Sequence, residues 1–138
     1  MVHDYPFGEI EVGDRARYSK RVTEADIFAF AEVTGDFNPL HIDQDAAAAG
    51  FFKQRVAHGL FTASLISTVL GTTLPGAGTI YLSKEINFKA PAFIGDTLTV
   101  EVEVLEKKEN KHILVMGTRV INQSGRLLID GRATVMKP

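Results

Sequence analysis

The run Leu60-Phe61-Thr62-Ala63-Ser64-Leu65-Ile66-Ser67-Thr68-Val69-Leu70 restricts the possible folds more than any other part of this chain. Read as a helix, it is apolar or small on every side. A helix with no polar face has to be enclosed by the rest of the protein. At ~1.5 Å per residue it is roughly 17 Å long, too short for a bilayer, which takes about 20 residues. Something extended must therefore wrap it, and the C-terminal half offers strands. Thr79 to Phe88 follows the breaker Pro75-Gly76-Ala77-Gly78. Thr97 to Lys107 alternates, with Leu98, Val100, Val102 and Val104 on one face and Thr99, Glu101 and Glu103 on the other, the period of a half-exposed strand. Turns at Glu109-Asn110 and Ser124-Gly125 separate two more strands, His112 to Asn122 and Arg126 to Met136.

The N-terminal half supplies one more strand, Arg15 to Val22, and then helices. Thr23 with Asp26 three residues on resembles a capping box, Asp standing in for the usual Glu. Ile27, Phe30, Ala31 and Thr34 follow at helical spacing, and Gly35 stops the helix. A loop from Asp36 to His41, a short helix from Asp45 to Ala49 ended by Gly50, and an irregular stretch from Phe51 to Ala57 complete it. The expected class is α+β: one antiparallel meander of about five strands curved around one wholly buried helix.

The 138 residues fit a single domain, with no repeat or linker to divide it. A formal charge of -2 gives no reason to expect nucleic acid or an anionic membrane as partner. The absence of cysteine excludes disulfides, thiolate zinc sites and a cysteine nucleophile. The first residues, Met1-Val2-His3-Asp4-Tyr5-Pro6, lack the basic and apolar regions of a signal peptide, so a cytoplasmic location is expected.

The chemistry concentrates in Phe30-Ala31-Glu32-Val33-Thr34-Gly35-Asp36-Phe37-Asn38-Pro39-Leu40-His41. Asp36, Asn38 and His41 share a loop punctuated by Gly and Pro, so their side chains can converge without helical or strand spacing. A carboxylate and an imidazole aimed at one point can hold a water and take its proton. Each residue also has a plain reading. Asp and Asn after a helix form caps and turns, and a lone histidine is weak support for catalysis.

The whole motif resembles the signature of the (R)-specific enoyl-CoA hydratases, the MaoC-like or hydratase 2 family. Its core, Gly-Asp-x-Asn-Pro-Leu-His, is present as Gly35 to His41. Val56-Ala57-His58-Gly59 at the start of the apolar helix agrees with the family, as do Phe88-Lys89-Ala90-Pro91 and Gly95-Asp96. The likeness runs from about Val12 to the C-terminus. It implies a single hotdog domain over the whole chain and addition of water to a trans-2-enoyl thioester, giving the (R)-3-hydroxyacyl thioester. It also implies a homodimer, which would cover exposed strand edges.

Within that resemblance, Asp36 is expected as base and proton donor, His41 as the group that orients the water, and Asn38 as support. The Gly59 N–H, at a helix N-terminus, is the expected donor to the thioester carbonyl. Ser67 and Leu70 lie eight and eleven residues after Gly59, about two and three helical turns, and are expected to limit the acyl chain. Lys53, Arg55, Lys84 and Lys89 are candidates for the CoA phosphates, and His58 is expected to hold the turn by a ring hydrogen bond. No cofactor or metal is expected, since a backbone N–H can polarise the thioester and the histidines lack a recognised ligand spacing. An acyl-CoA thioesterase on the same fold, a non-catalytic acyl-thioester-binding subunit, and an acyl carrier protein in place of CoA are the alternatives.

Overall fold

The computed structural model describes residues 2–138. Five strands form one antiparallel sheet: β1 (Arg15–Arg21), β2 (Ile80–Phe88), β3 (Thr97–Lys108), β4 (Ile113–Ile121) and β5 (Leu127–Met136). Four helices accompany them: α1 (Glu24–Thr34), α2 (Pro39–Ile42), α3 (Gln44–Ala49) and α4 (Gly59–Thr72). The capping box at α1 is present, with Thr23 accepting from the Asp26 amide and Asp26 accepting from the Thr23 amide. Gly35 ends α1 at φ 80°, a conformation glycine adopts without steric cost.

The strands are those expected, but their order is not a simple meander. It runs β1-β3-β4-β5-β2, so β2 pairs with β5 at one edge instead of with β3, its successor in the chain. The β2–β3 connection cannot close a hairpin because it is engaged elsewhere. Phe93 bridges Val56, and the Ala57 amide donates to Ala92 O at 2.8 Å. This tie brings the segment before α4 against the mouth of the sheet, where the signature residues also lie.

Helix α4 packs on β3 and β4. Ile66, Val69 and Leu70 share one core with Leu98, Val100 and Val104 of β3, and Leu114, Met116 and Val120 of β4. Full burial of each such side chain stabilises by ~1.5–3 kcal/mol. The expectation of a wholly buried helix needs correction. Leu60 is 63% exposed, and Ser64 and Ser67 are exposed on the same stripe. Their 4- and 3-residue spacing aligns them on one face. At its start, Leu60 lines a cavity together with Phe88 of the edge strand β2. Among the described residues, no helix is long and apolar enough to cross a membrane.

Candidate active site

The signature loop is more regular than its sequence suggests. Asp36 to His41 was expected as an open loop, but Pro39 starts a four-residue helical turn, α2, that carries His41. Proline suits a first helical position because its missing N–H would have no partner there. A relay of small polar side chains sets the path. The Thr34 hydroxyl donates to Phe30 O and accepts the Asp36 amide; Asp36 Oδ1 accepts the Asn38 amide at 3.2 Å; Asn38 Oδ1 accepts the Leu40 amide at 3.1 Å. Asn38 is thus a helix cap, and Asp36 keeps a second carboxylate oxygen beyond its turn contact.

His41 is the most constrained group. Its Nδ1–H donates to Val56 O at 2.7 Å, because a carbonyl oxygen can only accept. The neutral ring therefore presents Nε2 as a bare acceptor. Burial holds the imidazole below the ordinary histidine value, and the adjacent His58 adds to that, while the Val56 carbonyl and Asp36 pull the other way. Arg55 braces the same turn. Its Nε donates to His41 O at 2.8 Å, and its Nη1 pairs with Glu24 at 2.7 Å. With its side chain 9% exposed, Arg55 is a buried strap and not a candidate for a CoA phosphate. Nothing in the local sequence distinguishes these roles for a cation.

His58 precedes α4 and is 2% exposed. Its Nε2–H donates to the backbone carbonyl of Asp36 at 3.0 Å, and its ring stacks on His41 at 3.9 Å between centroids. The ring hydrogen bond agrees with the expected holding role. The ligand-type atoms of Asp36, His41 and His58 lie within 4.8 Å of one another. The His58 Nε2 that faces Asp36 O carries the proton, so its Nδ1, buried without a hydrogen-bond partner among the described residues, is a bare acceptor like His41 Nε2.

The N-terminus of α4 completes the cluster. No side chain caps it, so its first N–H groups have neither an intrahelical nor a side-chain acceptor. Gly59 has no room for a side chain, since a Cβ would sit 2.8 Å from the Phe88 ring. Two cavities meet at this point. One of about 340 Å³ is lined by His41, Phe52, Gly59, Thr62, Phe88 and Lys89 among others. The other, about 290 Å³, is lined by Phe30, Thr34, Asp36, His41, His58, Gly59, Leu60 and Phe88. The Asp36, His41 and Gly59 named from the sequence therefore share walls, with Phe88 between the two spaces. A larger depression of about 590 Å³ lies on the opposite face of the sheet among Arg15, Arg17, Glu101 and Arg119, away from these groups.

Residues 8–125 match the MaoC like domain family. The chain belongs to that family. This MaoC-like chain is 46% identical to the (R)-specific enoyl-CoA hydratase of Aeromonas caviae, over 94% of its own length and 96% of that protein. It is 43% identical to the 3-hydroxybutyryl-CoA dehydratase of Methylorubrum extorquens, over 96% and 83%. Its fold matches the unliganded R-hydratase PhaJ1 from Pseudomonas aeruginosa with a TM-score of 0.93 and 47% identity, covering 98% of this chain and 86% of that one.

Other expected residues fall differently. Ser67 lies on the exposed stripe of α4, while Leu70 is 1% exposed in the core. Neither lines the two cavities that meet at Gly59. Among the lysines, Lys89 stands exposed at the wall of the 340 Å³ cavity. Lys53 is exposed with φ 65°, and Lys84 turns inward to the Thr118 hydroxyl. Thr34, Phe88 and the Val56 carbonyl were missed. Phe88 carries a faint signal, an aromatic in the strand before Lys89-Ala90-Pro91, but a backbone carbonyl carries none.

Proposed function

We propose that the protein is an (R)-specific enoyl-CoA hydratase, adding water to trans-2-enoyl-CoA to give (R)-3-hydroxyacyl-CoA. The observation that carries this reading is the fixed tautomer of His41. Its Nδ1–H is held by Val56 O, leaving a bare Nε2 beside the Asp36 carboxylate and the uncapped N-terminus of α4. Two acceptors converge where a water needs to lose a proton, and backbone donors lie where a carbonyl oxygen needs to gain charge.

In the proposed step, one hydrogen of the water faces His41 Nε2 and the other faces Asp36. The water oxygen bonds to C3 as Asp36 takes its proton. The C2–C3 π electrons move toward the thioester, and the charge collects on the carbonyl oxygen at the Gly59 N–H. A donor of this kind is typically worth ~3 kcal/mol in the transition state. Asp36 then returns a proton to C2, so water is added with no net proton change. Asn38 keeps the loop in shape by capping α2, and Lys89 at the cavity wall suits a CoA phosphate. No step draws on a cofactor.

A homodimer belongs to the same reading. Strand β2 is an edge that exposes Ile80, Tyr81, Leu82 and Phe88, and the exposed stripe of α4 starts at Leu60, which lines a cavity with Phe88. A second copy would cover both and wall the acyl groove, giving Ser67 its proposed place against the acyl chain, with Leu70 in the core behind. A cytoplasmic location is also part of the proposal.

The test is trans-2-butenoyl-CoA with purified protein, following the enoyl-thioester absorbance and free thiol together, with chiral analysis of the product. Loss of absorbance without thiol, giving the (R)-3-hydroxy product, is expected. Thiol release would instead mark a thioesterase, in which water attacks the carbonyl. Asp36→Asn should lower kcat by ~10²–10⁴-fold with the fold retained, and a variant of near-normal turnover would remove Asp36 as base.

A further inference from the structure

The strand register places Lys84 on an unexpected side of the sheet. Lys84 pairs with Ala133, Ile86 with Gly131 and Phe88 with Ile129. In β4, Met116, Thr118 and Val120 face the same three β5 residues. Ala133, Ile129, Met116 and Val120 belong to the core under α4, so Lys84, Ile86 and Phe88 point to that concave face. Lys84 is half-buried, and its amine donates to the hydroxyl of Thr118, which is 4% exposed. To reach it, the side chain leans over Gly131, where no side chain stands in the way.

This inward turn is unusual for a lysine on an edge strand, which can ordinarily send its amine to water along its flexible stem. Here the amine meets a neutral hydroxyl. Lys84 takes part in none of the ion pairs among the described residues. Burial brings its pKa down to about 8, the response of an ammonium group removed from water without a counter-charge. An arriving anion would supply that charge.

The position relates the amine to the reaction site. Thr118 and Ile86 lie two residues along their strands from the row of Phe88, Ile129 and Val120, about 7 Å at the usual strand rise. Phe88 and Ile129 wall the cavity that contains His41 and Gly59. The row of Thr118 thus lies one short acyl chain along the sheet from the row that walls this cavity, although neither Lys84 nor Thr118 lines the cavity itself. With carbon–carbon bonds of ~1.5 Å, about six carbons cover that interval.

We propose that Lys84 and Thr118 form a subsite for a carboxylate at the far end of the acyl chain, selecting trans-2-enoyl thioesters of short dicarboxylic acids. The inference rests on the hydratase reading and on Gly59 as the carbonyl site. The ammonium group supplies a charge-assisted hydrogen bond. Because the Thr118 oxygen already accepts from the amine, its own proton is free to point at the second carboxylate oxygen. A plain alkyl end would leave the half-buried amine without a counter-charge, the condition under which a polar site discriminates most strongly.

The experiment compares kcat/KM for two thioesters of equal length, the mono-CoA thioester of trans-2-hexenedioic acid and trans-2-hexenoyl-CoA, in wild type and in Lys84→Met. Wild type should prefer the diacid thioester by at least ~10-fold, and Lys84→Met should reverse that order. Equal efficiency for the two substrates in wild type would overturn the subsite whether or not the variant folds. So would a preference that Lys84→Met leaves intact. Failure of wild type to hydrate either thioester would instead remove the hydratase reading beneath it.

Discussion

At His41 a single backbone contact decides the chemistry open to the ring. Had Nε2 carried the proton, the open nitrogen would be a donor and could not accept from water. The Val56 carbonyl prevents this, and burial keeps the ring neutral by holding its pKa below 6.5. The sign of the pH dependence follows. A group whose folded pKa is depressed binds fewer protons in the folded state, so stability is fully present above the unfolded value and falls as pH drops below it. For His41 the loss begins near 6.5 and extends to its lower folded value, with Asp36 and His58 the charged or titratable groups facing it. Turnover should be flat from pH 8 down to about 6.5 and decline only below it. An acid limb centred at or above 6.5 would mean that the ring titrates as an ordinary histidine. His58 acts one step back, through Asp36 O. His58→Leu should lower kcat by about 10-fold, with KM little changed and a stability loss of ~1–3 kcal/mol for the carbonyl left without its donor. His58→Gln, which can still donate, should recover most of kcat. Equal defects in the two variants would reduce His58 to packing.

Helix α4 is the element that joins the core to the site, and it was the most legible element in the sequence. Its all-round apolar character required enclosure, and seven of its residues are buried. The exposed stripe was not legible, because small residues such as Ser64 and Ser67 suit either an inner or an outer face. The strands were readable from alternation, since each has one face on the core. Their order was not, because nothing local to β2 indicates that Phe93 is tied to Val56. The candidate site divides in the same way. Asp36, Asn38 and His41 stood out because they are five residues apart at most. The role of Arg55 was not legible because its partners, Glu24 and His41, lie 31 and 14 residues away. Gly59 allows a test of how tightly the element is fitted. Alanine is the better helix former by ~1 kcal/mol, yet its Cβ would fall 2.8 Å from the Phe88 ring. Gly59→Ala should therefore leave thermal stability within a few degrees of wild type while lowering kcat at least ~10-fold by displacing the ring across the site. Adding Phe88→Ala should restore part of the loss, the non-additivity expected of residues in contact. Strict additivity of the two changes would show that Phe88 does not transmit the effect.

Taken as a whole molecule, the chain is closed at one end and open along one side. The closed end is held by Lys137, whose buried amine reaches the Asp4 carboxylate and Ala77 O, joining both termini to the loop after α4. The open side is β2 with the outer stripe of α4. An edge strand with free backbone groups and apolar side chains is a template for another chain, and monomeric proteins usually protect such edges with charge, proline or a bulge. Here β2 has an irregularity between Tyr81 and Ser83, but Leu82 within it is 49% exposed and Ile80 44%. These exposures suit an interface more than a protected edge. Stable interfaces bury on the order of 1,600 Å² in total, more than a strand edge alone provides, so the proposed pair would need the α4 stripe as well. Leu82→Glu places a charge where a monomer would tolerate it and a dimer would not. Size-exclusion chromatography with light scattering should give twice the chain mass for wild type and a single chain for the variant. Turnover should fall with the shift to monomer, and it should recover at high protein concentration as mass action restores the pair. If the variant stayed dimeric with full turnover, the second copy would have to bind elsewhere. If it became a monomer with full turnover, the acyl groove would be complete in one chain, and the exposed Ser67 would have no part in it.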